Sequence, residues 1–229
     1  MMRSNLHDWD VSYHEAVRIQ NSLKKKLVLA PLSKPVKIVA GADVAYDKES
    51  DSLFAAIVVL RLPSCEIVER VTVTGKTAFP YIPGLLSFRE APILVEAFER
   101  LTIRPDVLLC DGQGIAHPRG FGLASHLGVL LDIPTVGCAK SRLCGTHRAP
   151  GPRKGNRAPI RMDGATVGAV VRSRSGVKPI HVSVGHRIDL PGAICLVLRC
   201  CRGFRLPEPT RQAHIMVTAA RQAARPESN

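Results

Sequence analysis

The sequence has no apolar run approaching the ~18 residues that cross a bilayer. Its longest, Leu53 to Leu60, is strand-sized and stops at Arg61. No membrane association is expected. The first residues, Met1-Met2-Arg3-Ser4-Asn5, lack the apolar segment of a secretory signal. No two cysteines form a CxxC pair, which argues against a structural zinc site. The seven cysteines (Cys65, Cys110, Cys138, Cys144, Cys195, Cys200 and Cys201) are odd in number, and several lie in apolar runs. That usage fits buried reduced thiols and a cytoplasmic location rather than a disulfide framework. No internal repeat is evident. Acidic residues are scarce in one part of the chain. Residues 140–229 hold 17 basic side chains and 4 acidic ones, whereas residues 1–139 hold 15 of each. The whole formal charge of +13 therefore lies in the C-terminal stretch.

What is present describes a folded protein. Hydrophobic residues make up 45% and charged residues 22% of the 229, which excludes a fully disordered chain. A chain of this length buries a core without disulfides. Ser12-Tyr13-His14-Glu15 has the form of a capping box, and Ile19, Leu23 and Leu27 follow at helical spacing. They predict a helix over 12–28, with Lys24-Lys25-Lys26 as its solvated end. Three β-like runs follow, Val36 to Tyr46, Leu53 to Leu62 and Cys65 to Thr74. The short links between them, Lys48-Glu49-Ser50-Asp51 and Pro63-Ser64, predict an antiparallel meander. Ser87-Phe88-Arg89-Glu90 is a second capping box, which predicts a helix to about Leu101.

The pattern then becomes β-α-β. Val107 to Cys110 and Thr135 to Cys138 are short apolar strands, and Phe121 to Leu131 between them is helical. Such a crossover makes a parallel pair. Residues 141–165 read as a Pro-, Gly- and Arg-rich surface loop. Strands resume at Thr166 to Val171 and Ile180 to Val184, and two helices are expected at about 191–201 and 209–224. The expectation is one α/β domain spanning 1–229. Its mixed sheet would carry a three-strand meander, then parallel strands, with helices flanking.

Several polar residues stand where strands should be apolar. Asp43 shares a strand face with Val39, Gly41 and Ala45. An ionised carboxylate there costs several kcal/mol unless it is paired or metal-bound, so a salt bridge inside the sheet or a metal site is expected. Asp111 follows Cys110 at the carboxyl end of a parallel strand, the usual ligand-facing edge, although a turn aspartate before Gly112 reads equally well. Lys140 stands at the equivalent place after the neighbouring strand. Glu90 reads either as the reciprocal member of its capping box or as a third acidic ligand. Together these carboxylates suit Mg²⁺, with Mn²⁺ as a substitute. Magnesium beside a basic surface points to phosphodiester chemistry. The loop from Asp111 to Gly120 is glycine-spaced, so backbone can approach a ligand closely. His117 in that loop reads as a substrate contact or as a solvent-exposed histidine. His214 lies on a predicted helix, where a satisfied helix histidine is the default reading.

At these residues the sequence resembles endonuclease V, the deoxyinosine-specific repair nucleases. The carrying segments are Val39 to Tyr46, Pro80-Tyr81-Ile82-Pro83-Gly84-Leu85-Leu86-Ser87-Phe88-Arg89-Glu90, and the block from Leu109 through His117-Pro118-Arg119 to Ser141. Val182 to Arg187 and Pro207 to His214 match as well. The resemblance implies an RNase H-like fold. It implies metal ligands at Asp43 and Asp111, with Glu90 completing the acidic site, and further active-site positions at Lys140, His214 and His117. Tyr81 matches the wedge that fills the space beside the flipped lesion base. The implied reaction is cleavage of the second phosphodiester 3′ to deoxyinosine, leaving 3′-hydroxyl and 5′-phosphate ends.

A mispaired inosine flips out more cheaply than a normal base. Backbone groups of a tight pocket at Gly84, Leu85, Leu86 and Gly112 would then discriminate hypoxanthine by fit. The expected partner is DNA carrying deoxyinosine or another deaminated base, bound by a monomer. Inosine-containing RNA cut by the same metal site is the alternative substrate. A non-catalytic binding module would carry a broken acidic set, whereas Asp43, Glu90 and Asp111 are all present. The basic stretch after residue 139 is expected to contact phosphates, first through Arg148, Arg153, Lys154 and Arg157.

Overall fold

A computed structural model of the chain describes residues 6–47 and 50–224. The expectations for Met1 to Asn5 and for Lys48 and Glu49 lie outside the described residues. Helix α1 (Tyr13–Lys24) opens as the capping signal predicts, with Ser12 Oγ accepting from the Glu15 amide at 3.3 Å. The meander follows as β1 (Ile38–Tyr46), β2 (Ser52–Arg61) and β3 (Glu66–Lys76), paired antiparallel in sequence. Then come α2 (Leu86–Glu99), β4 (Val107–Cys110), α3 (Leu123–Leu131) and β5 (Thr135–Ala139). β4 pairs parallel with both β1 and β5.

Two expectations need correction. Residues 141–165 are not all loop. Strand β6 (Arg157–Met162) forms there and pairs antiparallel with β7 (Ala165–Val171), and Thr146 bridges to Arg161 on its outer side. The run reads as loop because β6 is a short edge strand with exposed arginines and a proline, Pro159, which edge strands tolerate. The second correction concerns Ser87. Helix α2 begins at Leu86 after Leu85, so Ser87 lies inside the first turn and does not cap it. Its hydroxyl instead meets buried His126 Nδ1 at 3.0 Å.

β8 (Ile180–His186) pairs antiparallel with β5 and β7, which closes one eight-stranded sheet in the order β3-β2-β1-β4-β5-β8-β7-β6. Helix α4 (Leu190–Arg199) is capped by Asp189, whose carboxylate accepts from the Gly192 amide at 2.9 Å. Helix α5 (Glu208–Ala223) starts with Pro209 in its first turn, where the missing N–H costs nothing.

Strand alternation sorts the core into two layers. Val39 on β1, Val107 and Leu109 on β4, and Val136 and Cys138 on β5 face α4 and α5. Ala40, Ala42, Leu108 and Cys110 face the opposite way, against Ala91, Leu94 and Phe98 of α2 and Leu127 and Leu130 of α3. Each large side chain fully buried in either layer contributes about 1.5–3 kcal/mol. One glycine sets the spacing on the α5 side. A Cβ on Gly41 would lie 2.0 Å from the Pro209 carbonyl carbon, so only glycine lets α5 seat this close to β1.

Candidate active site

Three neighbouring strands deliver three polar groups to one face. Ala42 on β1 pairs with Cys110 on β4, and Cys110 pairs with Gly137 on β5. One residue past the first pair come Asp43 and Asp111. Alternation then fixes their direction. Asp43 follows Val39 and Gly41, Asp111 follows Val107 and Leu109, and Lys140 follows Val136 and Cys138, all on the α5 side. The register holds because the Asp111 amide donates to the Ala42 carbonyl at 3.0 Å. Helix α5, seated on Gly41, brings His214 over the same spot.

The geometry is tight. His214 Nδ1 meets Asp43 Oδ2 at 2.7 Å, and Lys140 Nζ donates to Asp111 Oδ2 at 2.6 Å. The other Asp43 oxygen accepts from the Val44 amide at 2.9 Å. Asp43, Asp111 and His214 each present a ligand atom within 4.8 Å of one another. Burial, and then the charge of Asp111, push Asp43 up to about 6, against the pull of His214 and Lys140. Two close carboxylates that repel each other, with an imidazole beside them, are a donor set that fits a hard divalent cation.

Glu90 stands apart from this group of three. It reaches the site from α2, on the opposite side of the sheet, and the Tyr46 hydroxyl donates to it. Burial, reinforced by Asp43 and Asp111 and opposed by the Tyr46 hydrogen bond, pushes Glu90 up to about 8. Tyr46 is itself held above its ordinary value, by burial and then by Glu90. The Arg89 guanidinium lies 5.1 Å from the centre of the Tyr46 ring. Tyr46 was missed from sequence although it ends a recognised segment, since strand alternation places it opposite Asp43.

Beside the carboxylates lies a cavity of about 350 Å³. Tyr81, Ile82, Pro83, Gly84 and Leu86 form one wall, and Asp111, Gly112 and His117 form another. Tyr81 is 70% exposed, free to stack on an incoming group. Pro80 is exposed next to it and outside the wall. Leu85 departs from expectation, because it is fully buried against Ala16 of α1 and Phe88 and does not line the cavity. His117 is buried rather than solvent-exposed, and its Nδ1 accepts from the Arg119 amide at 3.2 Å. Burial, reinforced by Arg119, lowers it to about 4, so it stays neutral at pH 7.

The cavity wall is held by residues that sequence reading passed over. Gly84 adopts φ of +80°, which frees its carbonyl to accept from Arg119 Nη2 and from Gln20 Nε2, the latter at 3.0 Å. Gln20 Oε1 in turn accepts from Arg119 Nε at 2.5 Å. Gln20 is 1% exposed, on the α1 stripe of Ala16 and Leu23. A glutamine at an apolar position of that stripe was the available signal.

The basic residues named first for phosphate contact sit elsewhere. Arg148 lines a cleft with His147 and Arg161 on the β6 edge. Arg157 borders an apolar groove between β6 and α4. Lys154 Nζ donates to the Cys201 carbonyl at 3.2 Å, and the Arg153 side chain has no hydrogen bond or ion pair among the described residues.

A family model described as Endonuclease V matches residues 21–215. The chain is 46% identical over 214 residues to "Endonuclease V" of Nostoc punctiforme, covering 93% of this chain and 97% of that protein. Among solved structures it superposes on Endonuclease V from Streptomyces avermitilis with a TM-score of 0.90 at 42% identity, covering 94% and 96%. It superposes on Ciona intestinalis Endonuclease V with a TM-score of 0.81 at 29% identity, covering 93% and 98%. That protein is in complex with a 24mer DNA containing an inosine followed by a ribo-adenosine. The mixed sheet with helices on both faces is thus the RNase H-like fold that the sequence resemblance implies.

Proposed function

The chain belongs to the endonuclease V family, and from that premise we propose that it is a Mg²⁺-dependent repair endonuclease acting on deoxyinosine in DNA. It hydrolyses the second phosphodiester 3′ to the lesion and leaves 3′-hydroxyl and 5′-phosphate ends. The observation that carries this reading is the convergence of Asp43, Asp111 and His214 within 4.8 Å, with Lys140 on Asp111 and the Tyr81-walled cavity alongside. Asp43 and Asp111 would hold the cation, with Glu90 as the third carboxylate. When bound, such a cation lowers the pKa of a water and polarises the phosphate.

The chain's own groups do the rest. Lys140 carries a positive charge at the mouth of the site, where it offsets charge developing on the phosphate. His214 is half-exposed and tethered to Asp43, so it positions a water or assists the leaving group. Neutral His117, with Gly84, Leu86 and Gly112, encloses the extruded base. Tyr81 stacks where the base was, an interaction worth ~1–3 kcal/mol. One sheet runs through both halves of the chain, which supports reading 1–229 as a single domain. No helix among the described residues is long and apolar enough to cross a membrane.

A second reading takes inosine-containing RNA as substrate for the same site. The ribo-adenosine next to inosine in the strand bound by the Ciona relative favours keeping it. A side-by-side nicking assay in Mg²⁺, with inosine in otherwise identical DNA and RNA strands, decides between them. The proposal expects faster cutting of the DNA strand, one bond beyond the adjacent linkage. Cutting that ignores inosine, or that maps to another bond, would overturn it.

A further inference from the structure

Helix α5 brings more than His214 to the cleft. The cleft that holds Asp43, Asp111, Lys140 and His214 has a volume of about 440 Å³ and is also lined by Thr218 and Arg221. His214, Thr218 and Arg221 stand at i, i+4 and i+7, so they form one stripe of the helix. Val217 between them is buried against Phe54 and Ala56 of β2 and packed by Ala45 of β1. That contact fixes which way the stripe faces. It also shows that α5 runs along β1 from Gly41 toward Tyr46. Arg221 therefore lies beyond Asp43 on the β1 flank of the cleft, while Lys140 enters from the β5 flank.

Several described cations of the C-terminal stretch are already engaged. Arg172 donates to the Pro150, Gly151 and Val177 carbonyls, and Arg205 to those of Lys140, Lys178 and Pro179. Arg211 pairs with Glu208, and Arg187 with Asp132. Arg221 has no hydrogen bond or ion pair among the described residues, yet it borders the cleft that holds the two carboxylates. It also lies past residue 215, where the match to the family model ends.

We propose that Arg221 contacts a backbone phosphate flanking the scissile one, so that the strand is gripped on both sides of the metal-ligand group. At ~1.5 Å rise per residue, Arg221 sits roughly 10 Å along the helix from His214. That offset points Arg221 at a neighbouring phosphate of the strand rather than at the scissile one. Thr218 lies between the two and offers a hydroxyl to the same strand. This inference rests on the reading of the chain as a nuclease, but not on its preference for inosine. A different role for Arg221 is to complement the carbonyl end of α5, where a basic residue in the last turn is favourable. That role needs no nucleic acid, so binding separates the two.

The test is the salt dependence of binding, measured by fluorescence anisotropy without divalent cation, for the full chain and for Arg221→Gln, Arg221→Lys and Arg199→Gln. Two single-stranded oligonucleotides of equal length serve as probes, one with a single inosine and one without. Arg221→Gln should lower the magnitude of the log Kd against log salt slope by about 0.7 on both probes, as loss of one single-strand phosphate contact requires. Arg221→Lys should keep the slope. Arg199→Gln, which borders the apolar groove on α4, should not change it. In Mg²⁺, Arg221→Gln should raise KM about three- to tenfold and leave kcat within about twofold. An unchanged slope in Arg221→Gln, or an equal loss in Arg199→Gln, would overturn the proposal. A slope that falls while wild type shows no preference for inosine would keep Arg221 and count against the lesion specificity instead.

Discussion

The cleft at the carboxyl ends of β1 and β4 and the far margin of the sheet at β6 and β7 handle charge in opposite ways. The cleft buries carboxylates close together, and burial first, with their mutual repulsion behind it, raises Asp43 to about 6 and Glu90 to about 8 despite His214, Lys140 and Tyr46. The far margin carries many arginines. Arg172 is spent on carbonyl oxygens, and Lys154 is tied in the same way. From β5 to β6 is three strand spacings, roughly 14 Å at ~4.8 Å each. Net charge is thus a poor map of function here. The informative quantity is charge held against its own interest, and it is concentrated in the part of the chain whose formal charge is zero.

The sharpest way to break this contrast is to remove one cleft carboxylate. Asp43→Ala or Asp111→Ala should lower Mg²⁺-dependent cleavage of an inosine strand by about a thousandfold or more, with lesion binding kept within a few-fold. Near-normal nicking by either variant would show that the cleft is not where the chemistry occurs.

Glu90→Gln probes the same burial from the other side. A carboxyl raised from 4.5 to about 8 favours the folded state while it keeps its proton, fully below pH 4.5, and that contribution is lost as pH rises through 8. Glutamine cannot ionise and still accepts from Tyr46. In metal-free protein the variant should therefore melt higher than wild type at pH 9. The gap should shrink toward pH 5, at about 2–4 °C per kcal/mol for a chain of this size. Its cleavage rate should fall at least tenfold. Thermal melts across that pH range decide the stability half, and equal melting at pH 9 would refute it.

The fold was legible where sequence pattern and burial agree. Val107 to Cys110 coincides with β4 because a strand covered on both faces reads as a continuous apolar run. Asp43 and Asp111 stood out because a charge in such a run demands an explanation. Edge strand β6 was illegible, since it is short, only Ile160 of its residues is buried, and Pro159 inside it reads as loop. The capping reading of Ser87 failed because a serine followed three residues later by glutamate looks the same at a helix start and one turn inside it. Here tertiary contacts chose the latter, with His126 taking the hydroxyl and Tyr46 the carboxyl. Gln20 and Arg119 act across about a hundred residues of sequence, a pairing that no local pattern encodes.

Smaller effects sharpen the comparison. Tyr81→Ala should cost about tenfold in the preference for inosine over undamaged strands, in line with one lost stacking contact. It should slow cutting of bound substrate much less. Competition binding with matched oligonucleotides measures this, and an equal loss on both strands would contradict the wedge role. Neutralising Arg148, Arg153, Lys154 and Arg157 together tests the far margin directly. The salt slope should fall by about 2 rather than the ~3 of four full contacts, because Lys154 is already bound to Cys201. An unchanged slope would remove the β6 edge from the nucleic-acid surface altogether.

The proposal rests on Asp43 and Asp111, two close carboxylates only partly offset by His214 and Lys140, binding a divalent cation. Calorimetric titration of Mn²⁺ into the full chain and into Asp111→Asn, in the absence of nucleic acid at pH 7.5, tests it most directly. Wild type should bind Mn²⁺ with at least one equivalent, and the variant should bind at least tenfold more weakly. Equal affinity in the two proteins would contradict the account.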